Sequence, residues 1–219
     1  IKCVAFNKLI PFMTIILNNR DHRKIVVIDG KVGYTGGINL ADEYINYRTV
    51  HGHWKDAGIR LEGEAVWSLT SMFLQMWNID EKNCDFDTYL NVPTIPQKEA
   101  GGYVVPYADC PLDNDKVGED VYIDILNRAE RYVHIMTPYL ILDGEMENAL
   151  KFAAKRGVDV KLILPGIPDK KAAYALAKTH YASLVRSGVE IYEYTPGFVH
   201  AKIFVSDDCR AVVGTINLD

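Results

Sequence analysis

Two segments of the chain carry the same three polar residue types at the same spacing. Each segment has His-x-Lys followed after four residues by Asp, at His22, Lys24 and Asp29 and again at His200, Lys202 and Asp207. A Gly-x-x-Asn pattern follows each copy at the same distance, ending at Asn39 and Asn217. Two matched copies of such a pattern are not an accident of composition, and they indicate an internal repeat of two large units. A duplicated hairpin that has lost its activity is the alternative, and the intact His-Lys pair in both copies argues against it.

The paired histidines and lysines suit the transfer of a phosphodiester group. Lysine binds phosphate well, and imidazole serves near neutral pH as nucleophile, acid or base. We expect one histidine to attack phosphorus, giving a phosphohistidine, while the other protonates the leaving alkoxide. Asn39 and Asn217 are candidate phosphate-binding residues through their amide donors. No metal or cofactor is expected, because the lysines and asparagines can stabilise the developing charge.

The two residues of each His-Lys pair lie two positions apart, so in a strand their side chains leave the same face. The aspartate lies an odd number of residues from both and in a regular strand points away. The histidines and lysines are therefore assigned to the reacting groups. Asp29 and Asp207 complete the motifs in a supporting role, such as an ion pair or a hydrogen bond.

These residues resemble the signature of the phospholipase D superfamily, and more closely that of bacterial cardiolipin synthases. Further likeness lies in HWKDAGIRLEGEAV after the first motif and in TPYLILDGEMENALKFAAKRGVDVKLILPGIPDK before the second. The resemblance implies a two-repeat α/β fold with the site between the repeats. It also implies phosphatidyl transfer between two phosphatidylglycerol molecules, with release of glycerol.

The resemblance further implies a role for particular residues. Asp56 is expected to orient the imidazole of the first repeat, with His22 as the nucleophile and His200 as the acid and base. The two motifs are so symmetric that the residues alone leave the choice of nucleophile open. The implied partners are an anionic phospholipid, phosphatidylglycerol, and a membrane surface reached through a longer bacterial protein at the cytoplasmic membrane; a homodimer is also compatible.

The chain around the motifs alternates strands and helices, which predicts βαβ units. Strands are expected from 133, from 158 and from 189, and helices over 65–78 and after the candidate N-caps Asp143 and Asp169, with stops at Gly157 and Gly188. The predicted fold class is α/β, phospholipase D-like, with a mixed, mainly parallel sheet flanked by helices. Two incomplete repeats are expected at 1–79 and 118–219, joined by a connector over 80–117 that contains one strand at GGYVVPY.

Composition narrows the class of substrate. The formal net charge is −5 and the sequence pI is about 5.7, which disfavours a protein built to grip nucleic acid. A phosphodiesterase or nuclease of the same superfamily remains the alternative enzyme. The chain opens without Met or a signal-peptide pattern and has no run long enough for a membrane span. It is therefore expected to be a piece of a longer protein, and an inactive truncated domain is the third possibility.

Overall fold

The computed structural model describes residues 1–6, 21–81, 85–93, 101–110 and 115–218. The chain forms two compact units, one made of 1–35 with 60–115 and the other of 36–59 with 116–219. The second unit thus takes in 36–59, a segment that the sequence assigns to the first repeat. The proposed repeat boundaries mark two parts of the sequence that resemble each other, which is a different property from compactness. They stay a prediction.

Strands and helices alternate along most of the described chain. In chain order they are β1 (Ile25–Ile28), β2 (Val32–Gly36), β3 (His53–Lys55), β4 (Gly58–Glu62), α1 (Ala65–Asp80), α2 (Phe86–Leu90), α3 (Val117–Arg128), β5 (Tyr132–Met136), α4 (Gly144–Lys155), β6 (Asp159–Pro165), α5 (Lys171–Arg186), β7 (Glu190–Tyr194), β8 (Gly197–Val199), β9 (Ile203–Ser206) and β10 (Arg210–Val213). No helix in these ranges is both long and apolar enough to cross a bilayer.

The first unit is built on a three-stranded sheet in the order β1-β2-β4, with β1 and β2 antiparallel. Helix α1 buries Val66, Leu69 and Leu74 on one side, as the helical spacing of apolar residues predicts. Gly33 of β2 lies so close to Leu69 that a Cβ atom there would meet its side chain at 2.7 Å. The strand predicted at GGYVVPY is wrong, because the backbone described over 101–110 forms no ladder.

The second unit contains a mixed five-stranded sheet in the order β10-β9-β5-β6-β7. Strands β5, β6 and β7 are parallel, and β9 and β10 add to β5 as an antiparallel hairpin. Alternate residues of β6 enter the core at Val160, Leu162 and Leu164. Helices α3, α4 and α5 contribute apolar side chains to the same core, so the predicted α/β class is confirmed.

The ends of two helices follow from local residues. Asp143 caps α4, since its carboxylate accepts a hydrogen bond from Met146 N at 2.9 Å. Gly157 and Gly188 follow α4 and α5 with φ angles of 93° and 98°, a conformation that suits glycine after a helix. Asp169 is not an N-cap: Lys170 takes that position, and Oδ2 of Asp169 accepts from the Tyr139 hydroxyl at 2.7 Å. The carboxylate of Asp169 therefore bonds a residue distant in sequence instead of capping its own helix.

Candidate active site

His200 is positioned by a short parallel pairing of two strands. Strand β3 pairs with β8, so that Trp54 lies opposite Phe198, and His200 follows β8 directly. The backbone N–H of His200 continues the pairing by donating to Lys55 O at 2.7 Å. Glycine is required at 197, because a Cβ atom there would collide with the backbone of His53. The second-motif histidine therefore sits at a fixed point and is only 7% exposed.

Asp56 holds the His200 ring. Its Oδ2 lies 2.8 Å from Nδ1 of His200, while its Oδ1 accepts the N–H of Ala57 at 2.8 Å. A carboxylate can only accept here, so the proton of the neutral ring is assigned to Nδ1, and Nε2 presents its lone pair. The expected partner was the histidine of the first repeat, and that assignment is wrong. The pairing of β3 with β8 brings Asp56 to a histidine 144 residues away in sequence.

Lys202 covers the same imidazole. Its Nζ lies 2.9 Å from Nδ1 and 3.0 Å from Nε2 of His200, and it also donates to His200 O. Near-equal distances to both nitrogens place the ammonium off the ring plane, because Cε1–H occupies the in-plane position between them. Lys202 is 2% exposed. The arrangement sets a positive charge beside Nε2, where it can neutralise an oxygen of a phosphate that approaches this atom.

The first motif repeats part of this local geometry. Nζ of Lys24 donates to His22 O at 2.6 Å, the same side chain to backbone bond that Lys202 makes with His200. His22 itself is exposed, whereas its counterpart is buried. The His-x-Lys spacing thus allows the same bond from the lysine side chain to the histidine backbone in both copies.

The two motif aspartates lie in hairpin turns. Asp29 follows β1 and Asp207 follows β9, with φ angles of 53° and 55°, a left-handed conformation that aspartate tolerates better than most residues. The carboxylate of Asp207 accepts from the backbone N–H groups of Glu130, Arg131 and Tyr132, each at 2.9 Å. The bond from Tyr132 is foremost among the causes that lower the pKa of Asp207 to about 2. Asp207 ties the β9–β10 turn to the start of β5.

The two candidate phosphate-binding asparagines have different surroundings. The Asn39 amide donates to the hydroxyl of Tyr44, whose ring meets His200 edge-on with centroids 5.1 Å apart. Oδ1 of Asn217 is buried without a hydrogen-bond partner among the described residues. The segment before it lies beside the second motif, since Gly214 N donates to Lys202 O at 3.3 Å. Binding of phosphate by these amides stays a prediction.

Aromatic side chains around His200 were not assigned to the site from the sequence. The ring centroids of Tyr44, Trp54 and Phe198 lie 5.1, 5.5 and 6.0 Å from that of His200. Burial raises the pKa of Tyr44, so its hydroxyl stays protonated at neutral pH. Trp54 stands two residues before Asp56, and only the strand pairing shows that its ring faces His200.

Gly37 leaves the space that Asp56 occupies. A Cβ atom at this position would collide with Oδ1 of Asp56 and would lie 2.8 Å from His200 O. The missing side chain of Gly37 therefore makes room for a carboxylate of the site itself.

Comparisons with known proteins agree with this description. Residues 122–219 match the family model of the cardiolipin synthase PLD-like domain. The whole chain is 61% identical to a protein of Streptococcus mutans and 36% identical to a cardiolipin synthase of Alkalihalophilus pseudofirmus, covering 47% and 44% of their lengths. The chain therefore spans less than half of these relatives. A phosphatidylserine synthase of Haemophilus influenzae has a similar fold, with 17% identity and a TM-score of 0.51 over 85% of this chain and 52% of that one.

Residues 122–219 are thus similar to the phospholipase D-like domain of cardiolipin synthases, and the predicted α/β fold is confirmed. Sequence similarity to proteins named cardiolipin synthase extends over the whole of this chain.

Proposed function

We propose that the protein carrying this chain is a phosphatidyltransferase that makes cardiolipin from two molecules of phosphatidylglycerol and releases glycerol. The observation that carries the proposal is the cluster of Asp56, His200 and Lys202, built on one of two matching motifs. The relatives named cardiolipin synthase supply the reaction class.

The reaction runs in two displacements. Nε2 of His22 attacks phosphorus of the first phosphatidylglycerol, and the bond from phosphorus to the glycerol oxygen breaks. His200 gives its Nε2 proton to that oxygen, so glycerol leaves and a phosphohistidine remains. His200 then takes a proton from a hydroxyl of the second phosphatidylglycerol, whose oxygen attacks phosphorus and breaks the bond to nitrogen.

The chain's own side chains suit these steps. The carboxylate of Asp56 stabilises the imidazolium that forms whenever Nε2 of His200 holds a proton. The ammonium of Lys202 lies beside Nε2, where phosphate oxygens gain negative charge during each displacement. The conformation that Lys24 and His22 share with the second motif supports an equivalent role for Lys24.

Product analysis of the intact protein tests the proposal. With phosphatidylglycerol as the sole lipid in mixed micelles, we expect cardiolipin and glycerol in equal amounts. His22→Ala and His200→Ala should each abolish both products, and chelator should leave the rate unchanged. His134→Gln is the matched control, because His134 bonds Asp159 away from the motif and glutamine can keep that bond.

Two results would overturn the proposal. Normal cardiolipin formation in either histidine variant excludes the two-histidine reaction. Cleavage of labelled single-stranded DNA without any lipid product would favour the nuclease alternative, although the acidic composition disfavours it.

A further inference from the structure

An apolar loop stands out from the second unit at residues 38–50. Five large side chains of this loop are exposed, namely Ile38, Leu40, Ile45, Tyr47 and Val50. Leu40 is 107% exposed, Tyr47 80% and Ile45 71%, so these side chains project from the surface instead of lining a groove. So many exposed apolar side chains in one short segment mark an interaction surface.

The apolar loop is held in a defined conformation. Residues Asp42–Ile45 form a turn of 3₁₀ helix, and Tyr47 N donates back to Asp42 O at 3.0 Å. The side chain of Asn46 bonds both the N–H and the carbonyl of Trp54, at 2.6 and 3.0 Å. These bonds fix which residues point outward, so the exposure of the apolar side chains is built into the fold.

The inner side of the apolar loop belongs to the site. Tyr44 lies against the rings of Trp54 and His200, with centroids 4.5 and 5.1 Å away, and Asn39 donates to its hydroxyl. Asn39 and Tyr44 thus lie on the side toward the site, while the neighbours at 38, 40, 45 and 47 face solvent. A surface that touched the outer side would lie next to His200.

We propose that the apolar loop inserts into the interface of a phospholipid bilayer and brings the headgroups to His200. This inference rests on the proposed function, since a phospholipid substrate keeps its acyl chains in the bilayer while its phosphate reacts. Projecting Leu and Ile side chains suit the acyl boundary, and the Tyr47 ring suits the headgroup level. A partner protein would need a matching cavity for each projecting side chain, whereas a fluid bilayer accepts them all.

The charges of the apolar loop indicate that it would bind a bilayer through apolar contacts and not through attraction to anionic headgroups. Asp42 is exposed and Glu43 is half-buried, and Arg48 is the only Lys or Arg in the loop, with its Nε 3.8 Å from Asp42. Such a loop gains nothing from anionic headgroups, in contrast to a polybasic segment. Binding should therefore survive high salt and should persist on vesicles of phosphatidylcholine alone.

Vesicle flotation of the intact protein tests the insertion. The double variant Leu40→Ser with Ile45→Ser should bind phosphatidylcholine vesicles roughly tenfold more weakly than the wild type, or weaker still. The control pair is Leu176→Ser with Val185→Ser, which removes two exposed apolar side chains from α5 and should leave binding unchanged. Because Leu40 and Ile45 make no core contacts, the thermal melting curve should match that of the wild type.

A second measurement separates docking from catalysis. On short-chain phosphatidylglycerol dispersed below its micelle concentration, the loop variant should keep its wild-type rate. Equal vesicle binding by the loop variant and the wild type overturns the proposed insertion and assigns the loop to a protein surface. Loss of vesicle binding in the loop variant, with no lipid product from any form of the protein, keeps the docking surface and rejects the proposed reaction.

Discussion

At the scale of single residues, the decisive feature is the contact between Asp56 and Nδ1 of His200. The contact is almost wholly shielded from water, with 9% of the His200 side chain and 2% of the Asp56 side chain exposed. A shielded carboxylate both sets the tautomer and stabilises the charged ring. Gly37 belongs to the same feature, since any side chain there would displace Oδ1 of Asp56.

The first prediction concerns this contact. Asp56→Asn should lower kcat about a hundredfold and leave KM nearly unchanged, because the amide can hold the ring but cannot stabilise its charge. Gly37→Ala should act in the same direction by moving the carboxylate. The measurement is the rate of cardiolipin formation, with Asp120→Asn on the surface of α3 as a control. Rates within twofold of wild type for Asp56→Asn would remove Asp56 from the mechanism.

At the scale of elements, the β9–β10 hairpin carries the second motif and is tied down at its turn. Lys202 precedes β9 at one end, and Asp207 occupies the turn at the other. The three backbone N–H groups bonded by Asp207 lie just before β5 and at its first residue, next to β9 in the sheet. Asp207 therefore supports the site indirectly. It stabilises the β9–β10 hairpin, and β9 begins directly after Lys202.

The turn carboxylate gives a prediction about acid stability. The pKa of Asp207 is lowered from 3.8 to about 2, so its ionised form stabilises the fold above about pH 4. That contribution should disappear as the pH falls from about 4 to 2. Asp207→Asn should reduce the free energy of unfolding at pH 7 by about 1 kcal/mol, a value that allows for the exposure of the turn.

Urea unfolding at several pH values measures this effect. The stability curves of the wild type and of Asp207→Asn should converge as the pH approaches 2, and Asp120→Asn should change neither. A constant difference between wild type and variant from pH 7 to pH 2 would show that the charge of Asp207 is irrelevant. Transfer activity of the variant at neutral pH should stay close to wild type, since Asp207 touches no reacting group.

At the scale of the whole molecule, the second unit is assembled from two separate stretches of chain. Residues 36–59 supply strand β3, Asp56 and the apolar loop, while 116–219 supply the five-stranded sheet and His200. The family model matches only 122–219, and that part alone lacks the carboxylate on His200. Without 36–59 the edge of β8 and the ring of Phe198 lose their cover.

Fragment complementation tests this assembly. Residues 116–219 expressed alone should be poorly soluble, and co-expression with 1–115 should recover a soluble complex on affinity purification. Trp54→Ala in the piece 1–115 should weaken recovery, because it removes the ring packed on Phe198 at 4.7 Å. Trp67→Ala on the exposed face of α1 is the control. Full solubility of 116–219 alone would mean that β3 is dispensable for folding.

Much of the fold could be predicted from the sequence because its signals are local. The alternating residues of β6 and the stops at Gly157 and Gly188 all match the structure. The failures have a common cause, which is a partner distant in sequence. Asp169 is of a residue type that often caps helices, yet its carboxylate accepts a hydrogen bond from the Tyr139 hydroxyl instead. No local sequence pattern indicates that Tyr139 will compete for it.

For the site, the sequence by itself determined which residue types occur twice and at what spacing, and hence the class of chemistry. The spacing of two keeps Lys202 within reach of His200, because residues so near in sequence stay close in space. Only the tertiary structure decided that Asp56 serves His200, that Gly37 makes room for it, and that Tyr44 and Trp54 surround the ring. These relations depend on the pairing of β3 with β8. The spacing of residues within one strand does not indicate which distant strand it will pair with.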